Sequence, residues 1–261
     1  MTGGVADDRW SGLVALLGGR GPLVVALSGG VDSALLLRAC REARGPEAIT
    51  AVTVVSELTP PWELEAARTV AVCLGVRHQV VRLALLDDPA VAANDPLRCY
   101  HCKRHIMAHL LAAAEALGGA DILEGSHAGD KEDLRPGSAA VREAGAASPL
   151  RDAGLDKEHI RALALRFELP NADTPAESCL ATRIATGVPL TLEALGRVRR
   201  AETSLRALGC AVVRVRDHGR LARIQCDAKG LDLLNGEGMQ AATAAAMTAA
   251  GYCHACLDRL R

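Results

Sequence analysis

Aromatic side chains are nearly missing from this sequence: one Phe, two Trp and two Tyr make up 2% of 261 residues. So sparse a set argues against the stacking platforms on which single-stranded nucleic acid binds. Surplus charge of either sign is missing too. Thirty Lys and Arg stand against 31 Asp and Glu, a formal net charge of -1, and this balance speaks against an electrostatic grip on nucleic acid or on an anionic membrane. No apolar run approaches the length of a membrane span, and the stretch from Met1 to Arg9 carries two Asp where a signal peptide needs basic and apolar residues. The expected setting is the cytoplasm, with no membrane partner. An even cysteine count is absent as well: there are nine, which argues against a disulfide scaffold and leaves thiol chemistry, metal binding or simple burial.

What the sequence does have is 49% hydrophobic content, enough for a sizeable core in one large domain and one small one. Short apolar runs alternate with helical stretches through the first two thirds. Pro22–Leu27 is a compact buried-strand run, followed by a helix over Ala34–Ala43. Further strands are expected at Ile49–Val55, Val76–Leu83 and Asp121–Glu124, and helices at Trp10–Leu17, Glu63–Leu74, Cys102–Leu117 and Lys157–Phe167. That alternation implies right-handed crossovers and an α/β, doubly wound parallel sheet. After Pro170 the pattern changes. A Pro- and Gly-rich loop leads to a helix at Thr191–Leu208 with Thr191 as N-cap. A hairpin of Ala211–Arg216 and Leu221–Cys226 follows, then helices at Leu231–Leu234 and Met239–Ala250. The expected organisation is residues 1–175 as one domain and 176–261 as a smaller α+β domain.

Between the first strand and its helix lies Ser28-Gly29-Gly30-Val31-Asp32-Ser33. Two glycines let the backbone approach a ligand and take positive φ. The helix that follows points free N–H groups and its positive dipole end at the same place. Ser28 and Ser33 add hydroxyls, and Asp32 suits a Mg²⁺ ion held beside a pyrophosphate. The plain structural alternative is a capped strand-to-helix turn. No Gly-Lys-Ser/Thr follows, so this is not a Walker A loop. A second loop, Gly125 to Asp130, follows the fourth strand at the same carboxyl edge of the sheet, where ligands of open α/β sheets bind.

The cysteines divide by context. Cys40, Cys73, Cys210 and Cys226 lie in apolar stretches and read as small core residues. Cys99 and Cys102 open a helix, and Cys179 lies in the loop Pro175–Ile184; all three have Arg or Lys nearby, which lowers a thiol pKa. Cys99 and Cys102 read equally as two capping residues or, with Cys179, as three thiolates of an iron–sulfur cluster. Cys253 and Cys256 near the end are read as having no role.

The string Ser-Gly-Gly-x-Asp-Ser resembles the PP-loop of the ATP pyrophosphatase superfamily, whose members adenylate a substrate oxygen, release pyrophosphate and let a nucleophile displace AMP. The resemblance implies ATP and Mg²⁺ at Ser28, Gly29, Gly30, Asp32 and Ser33, with Ser56 at the end of the second strand and Gly125 contacting the nucleotide. From Leu123 to Gln225 the sequence further resembles the LarE family of ATP-dependent sulfur transferases. The strings that carry it are Glu124-Gly125-Ser126, Asp130 with Leu134-Arg135-Pro136-Gly137, Ser148-Pro149-Leu150 with Gly154-Leu155, Glu158 through Ala164, Val213 through Arg216, and above all Cys179-Leu180-Ala181-Thr182-Arg183-Ile184.

That likeness implies conversion of a carboxylate of a pyridinium dicarboxylate mononucleotide, a small nucleotide substrate, to a thiocarboxylate for the nickel-pincer cofactor of lactate racemase. The sulfur comes from Cys179, which becomes dehydroalanine, or from sulfide on a [4Fe-4S] cluster held by Cys99, Cys102 and Cys179. Arg183, Arg214 and Arg216 are expected to bind the substrate's phosphate or carboxylates, and Glu202 to assist with the metal. Three departures stand out: Gly125-Ser126-His127 where members read Gly-Thr-Asn, Gln225 where many carry an acid, and the Cys253–Cys256 segment. Two other functions are consistent with the loop: another PP-loop adenylating enzyme (a tRNA thiolase or an amide synthetase), and a non-catalytic adenine-nucleotide-binding module. Oligomeric state stays open, a homo-oligomer included.

Overall fold

The computed structural model describes residues 2–130 and 136–260. Leu134 and Arg135 of the family-like strings lie outside the described residues. Packing divides the chain into two compact units, one of Met1–Ala84 with Leu97–Glu177, the other of Leu85–Pro96 with Ser178–Arg261.

The first unit is built on four strands: β1 (Leu23–Ala26), β2 (Ile49–Val55), β3 (Arg77–Arg82) and β4 (Asp121–Leu123). They run parallel in the order β3-β2-β1-β4. Helices α1 (Thr2–Gly18), α2 (Val31–Arg44), α3 (Pro61–Cys73), α5 (Arg98–Ala116), α6 (Pro136–Glu143), α7 (Pro149–Asp152) and α8 (Lys157–Arg166) complete the unit, and α4 (Pro89–Ala92) belongs to the other. Alternation along β1 sorts its side chains. Leu23 and Val25 enter a core with Leu13, Leu35, Ile160 and Leu163, whereas Val24 enters a second core with Val52, Met107 and Leu110. Period-two side-chain direction produces this two-sided burial. Each leucine so buried contributes about 1.5–3 kcal/mol. Strand β3 is the sheet edge, and its Arg77, Gln79 and Arg82 are polar for that reason.

Sheet order reverses at β1: its crossover leads outward to β2 and on to β3, and the connection from β3 returns to β4 on the other side of β1. The loops after β1 and β4 therefore part at a crevice beyond their carboxyl ends, the position at which doubly wound sheets bind ligands.

The second unit carries β5 (Val213–His218), β6 (Leu221–Cys226) and β7 (His254–Arg259), with α9 (Leu192–Ala207), α10 (Ala228–Asn235) and α11 (Met239–Ala250). β5 and β6 form the expected hairpin, and β7 adds itself parallel to β6. Thr191 caps α9, its hydroxyl accepting from the Ala194 amide at 3.1 Å. Val213, Val215, Ala222 and Ile224 pack on Leu205, Met247 and Tyr252. Strand β7 went unread because its residues are mostly exposed and show no apolar alternation. The α5 helix begins at Arg98 rather than Cys102, so Cys99 and Cys102 both sit in its first turns. Among the described residues no helix is long and apolar enough to cross a membrane.

Candidate active site

The loop after β1 is held from within. The Ser33 hydroxyl donates to the Gly30 carbonyl at 2.9 Å and accepts from the Ser28 amide at 3.2 Å. The Gly30 amide donates to Ser28 Oγ at 3.3 Å. Asn171 Nδ2 donates to the Gly29 carbonyl at 2.7 Å. Only the first glycine takes positive φ: Gly29 sits at 88°, and a Cβ there would lie 2.3 Å from the Glu63 carbonyl oxygen. Gly30 is extended at φ -75° as the N-cap of α2, which corrects the expectation for that residue. Gly125, across the crevice, brings its backbone close to the start of α2; a Cβ there would lie 3.1 Å from the Ser33 amide nitrogen. Glu124 behind it is buried and accepts from the Ser126 amide (3.1 Å), the Ser126 hydroxyl (2.9 Å) and the Ser148 hydroxyl. Those bonds freeze the loop.

A cavity of about 850 Å³ opens at this crevice. Ser28, Asp32, Ser33 and Gly125 line its polar end, together with Lys157 and Glu177. Val52, Val54, Ile106, Met107 and Val141 form an apolar wall. Cys99 and Lys103 of α5 also line it. Ser56 does not: its hydroxyl accepts from the Leu58 amide at 3.2 Å in the turn that ends β2, so β2 meets the cavity through Val52 and Val54 instead. Asp32 is held by Lys157, whose Nζ lies 2.6 and 2.8 Å from its two carboxylate oxygens. Lys157 follows Asp156, the N-cap of α8, which accepts from the Glu158 and His159 amides at 3.0 Å. The backbone hydrogen bond from His159 and the His159 side chain keep the Asp156 carboxyl below its ordinary range.

In the second unit, Cys179 is the residue before a short 3-10 turn, Leu180–Arg183, and is half-buried. Its carbonyl accepts from the Thr182 hydroxyl at 2.8 Å and from Arg183 Nη1 at 3.3 Å. Arg183 is the largest wholly buried side chain here. Nη1 also donates to the Ser178 carbonyl (2.7 Å) and hydroxyl (2.6 Å), while Nε and Nη2 meet Glu202 at 2.8 and 3.2 Å. Glu202 Oε1 accepts in addition from the Val215 amide at 2.8 Å. This corrects two expectations. Arg183 has its donors spent on the Cys179 turn and on Glu202 rather than on a substrate anion, and Glu202, with no side-chain exposure, is committed to Arg183 rather than to a metal.

Arg214 and Arg216 share the face of β5 opposite Val213 and Val215. Arg216 Nε donates to Gln225 Oε1 at 2.8 Å and Nη1 to the Thr182 carbonyl. Burial first, then Arg183, Arg214 and Arg223, lower the Arg216 pKa. Gln225 Nε2 in turn donates to Asp258 of β7 at 3.2 Å, and Arg223 meets the same carboxylate at 3.0 Å.

The remaining thiols sort by burial. Cys40 and Cys226 are pushed up to about 12 by burial, and Cys210 is raised for the same reason. Cys73 is exposed on α3, contrary to its expected place in the core. Cys99 Sγ accepts from Arg98 Nη2 at 3.4 Å, and Cys253 Sγ from Arg220 Nε at 3.3 Å. Among the described residues, no group of three or more His, Cys, Asp or Glu is arranged to hold a metal ion. Lys157, Asn171 and Asp258 were not singled out from the sequence. Lys157 alone had a local signal, an acidic N-cap just before it.

Residues 17–98 match the NAD synthase family model. The chain is 37% identical over 213 residues to the pyridinium-3,5-bisthiocarboxylic acid mononucleotide synthase of Lactiplantibacillus plantarum, covering 82% of this chain and 77% of that one. It is 39% identical over 202 residues to an uncharacterised protein of Synechocystis, covering 77% and 75% respectively. Among solved structures, the NMN synthetase of Francisella tularensis superposes with a TM-score of 0.53 at 20% identity, over 66% of this chain and 75% of that one, a likeness of fold.

Proposed function

We propose that this chain, which belongs to the LarE-type family of PP-loop ATP pyrophosphatases, adenylates a carboxylate of a pyridinium dicarboxylate mononucleotide and turns it into a thiocarboxylate. The observation that carries the reading is the cavity at the sheet switch point, with the Ser28–Ser33 loop and Asp32 at one end and an apolar wall at the other. The wall suits a purine base, and the loop with the α2 amides suits phosphates. Substrate Mg²⁺·ATP fits the donor set: Asp32 offers a hard carboxylate oxygen and Ser28 and Ser33 offer hydroxyls. The ion supplies charge neutralisation for the departing pyrophosphate.

The steps follow from the groups present. A substrate carboxylate oxygen attacks the α-phosphorus, and the bond to pyrophosphate breaks. Cys179, as thiolate, attacks the acyl carbon, and AMP leaves with the oxygen. Removal of the Cys179 Cα proton then breaks the Cβ–Sγ bond, giving the thiocarboxylate and dehydroalanine at position 179. Arg183, Thr182 and Ser178 hold the Cys179 backbone for this. Arg214 and Arg216 are the remaining candidates for the substrate's anionic groups. By function, residues 1–175 are read as the adenylating domain and 176–261 as the sulfur-transfer domain. A [4Fe-4S] cluster on Cys99, Cys102 and Cys179 is the other sulfur source that the family likeness implies, and no step is routed through it.

Pyrophosphate release from ATP tests the adenylation half. The reading expects release that depends on the dicarboxylate nucleotide and falls at least about a hundredfold in Asp32→Asn, the loss typical of a group that meets charge in the transition state. Release that ignores the acceptor, or survives in Asp32→Asn, contradicts it.

A further inference from the structure

The mechanism above leaves Lys157 without a task, yet Lys157 makes a close ionic contact in the cavity. Its Nζ spans both Asp32 oxygens, at 2.6 and 2.8 Å. Side-chain exposure is about a third for Lys157 (36%) and 27% for Asp32, so both groups face the open space. The backbone under Lys157 is fixed, since α8 starts at the Asp156 cap and buries Ile160, Leu163 and Ala164. Beyond that point the side chain is a flexible four-carbon stem carrying a compact charge.

We propose that Lys157 exchanges partners during nucleotide binding: it occupies Asp32 until Mg²⁺·ATP arrives, then yields that carboxylate to the metal and binds the polyphosphate. The inference rests on the reading of Asp32 as a ligand of Mg²⁺·ATP. An ammonium that spans both Asp32 oxygens repels a divalent cation at the same carboxylate, so metal entry favours displacement of Lys157. The displaced ammonium is next to the Ser28–Ser33 loop, where the polyphosphate charge is concentrated. Metal without nucleotide brings Lys157 no polyphosphate in exchange for Asp32, and the exchange is then less favourable. Metal with nucleotide offers one, so the two bind cooperatively. The arrangement keeps Asp32 paired when the site is empty and discriminates against metal that comes without phosphate.

The test uses Mn²⁺ as the metal probe, followed by electron paramagnetic resonance, and the α,β-methylene analogue of ATP as the nucleotide. It compares the unaltered full chain with Lys157→Gln and Lys157→Arg. In Lys157→Gln, Mn²⁺ alone should bind about fivefold tighter, the value of one partly exposed ion pair, while the analogue binds more weakly. In Lys157→Arg, whose planar fork grips a carboxylate with two donors, Mn²⁺ alone should bind no tighter than to the unaltered chain. If Lys157→Gln leaves the Mn²⁺ isotherm unmoved while the analogue still binds the unaltered chain, the partner exchange is wrong and the ATP reading stands. If the unaltered chain does not bind the analogue, the ATP reading fails and the exchange falls with it.

Discussion

Gly29 shows how much one residue can constrain. Its φ of 88° is strained for any side chain, and the Glu63 carbonyl occupies the space a methyl would need. Gly29→Ala should therefore cost about 1–3 kcal/mol, read as a lowered midpoint in urea, and should suppress pyrophosphate release by displacing the loop. Gly30→Ala, at an extended backbone position, should be far milder in the same measurement. The cysteines give a second test at this scale. Burial keeps Cys40 and Cys226, both near a pKa of 12, and Cys210 protonated and inaccessible at neutral pH. A thiol reagent should label exposed Cys73, Cys99, Cys253 and Cys256 in the native protein and reach those three only on unfolding. The loop was readable in the sequence because its residues are contiguous. The buried partnership of Arg183 with Glu202 was not, because 19 positions separate them and each alone reads as a surface charge.

At the scale of elements, that pair ties the Cys179 turn to α9 and, through the Val215 amide, to β5. Removing one partner strands a charge in a dry site, so Arg183→Met should destabilise the protein by about 3–5 kcal/mol, and the double variant Arg183→Met/Glu202→Leu should recover much of it. A double-mutant cycle by denaturant unfolding checks this; additive losses would contradict it. Helix α8 depends in turn on its cap. Asp156→Ala should cost about 1 kcal/mol and loosen Lys157. Because the folded carboxyl titrates below its ordinary 3.8, the cap's contribution is complete above that pH and fades as pH falls through the lower folded value. An acid unfolding curve of Asp156→Ala should therefore approach the unaltered one at the acid end. Helices and central strands were legible because periodicity records burial on both faces. Strand β7 carries no such record: its place is set by pairing with β6, a long-range contact that leaves Arg223 and Gln225 to share Asp258.

For the whole molecule, the order β3-β2-β1-β4 puts the loops after β1 and β4 on either side of one crevice, the proposed place of the chemistry. Alternation of strands and helices made the parallel sheet legible, and the Ser-Gly-Gly-x-Asp-Ser string marked the loop between the first strand and its helix. The inclusion of Leu85–Pro96 in the second unit was not legible: Asn94 donates from there to the Ala185 and Val188 carbonyls at 2.9 and 2.8 Å, across some ninety positions. The central claim is that adenylation is followed by surrender of the Cys179 sulfur. Its most direct test is the intact mass of the protein after anaerobic incubation with ATP, Mg²⁺ and the pyridinium dicarboxylate mononucleotide. The account predicts a loss equal to one H₂S, located at position 179 and abolished in Cys179→Ala. Thiocarboxylate formed at unchanged protein mass would contradict it and assign the sulfur to another source.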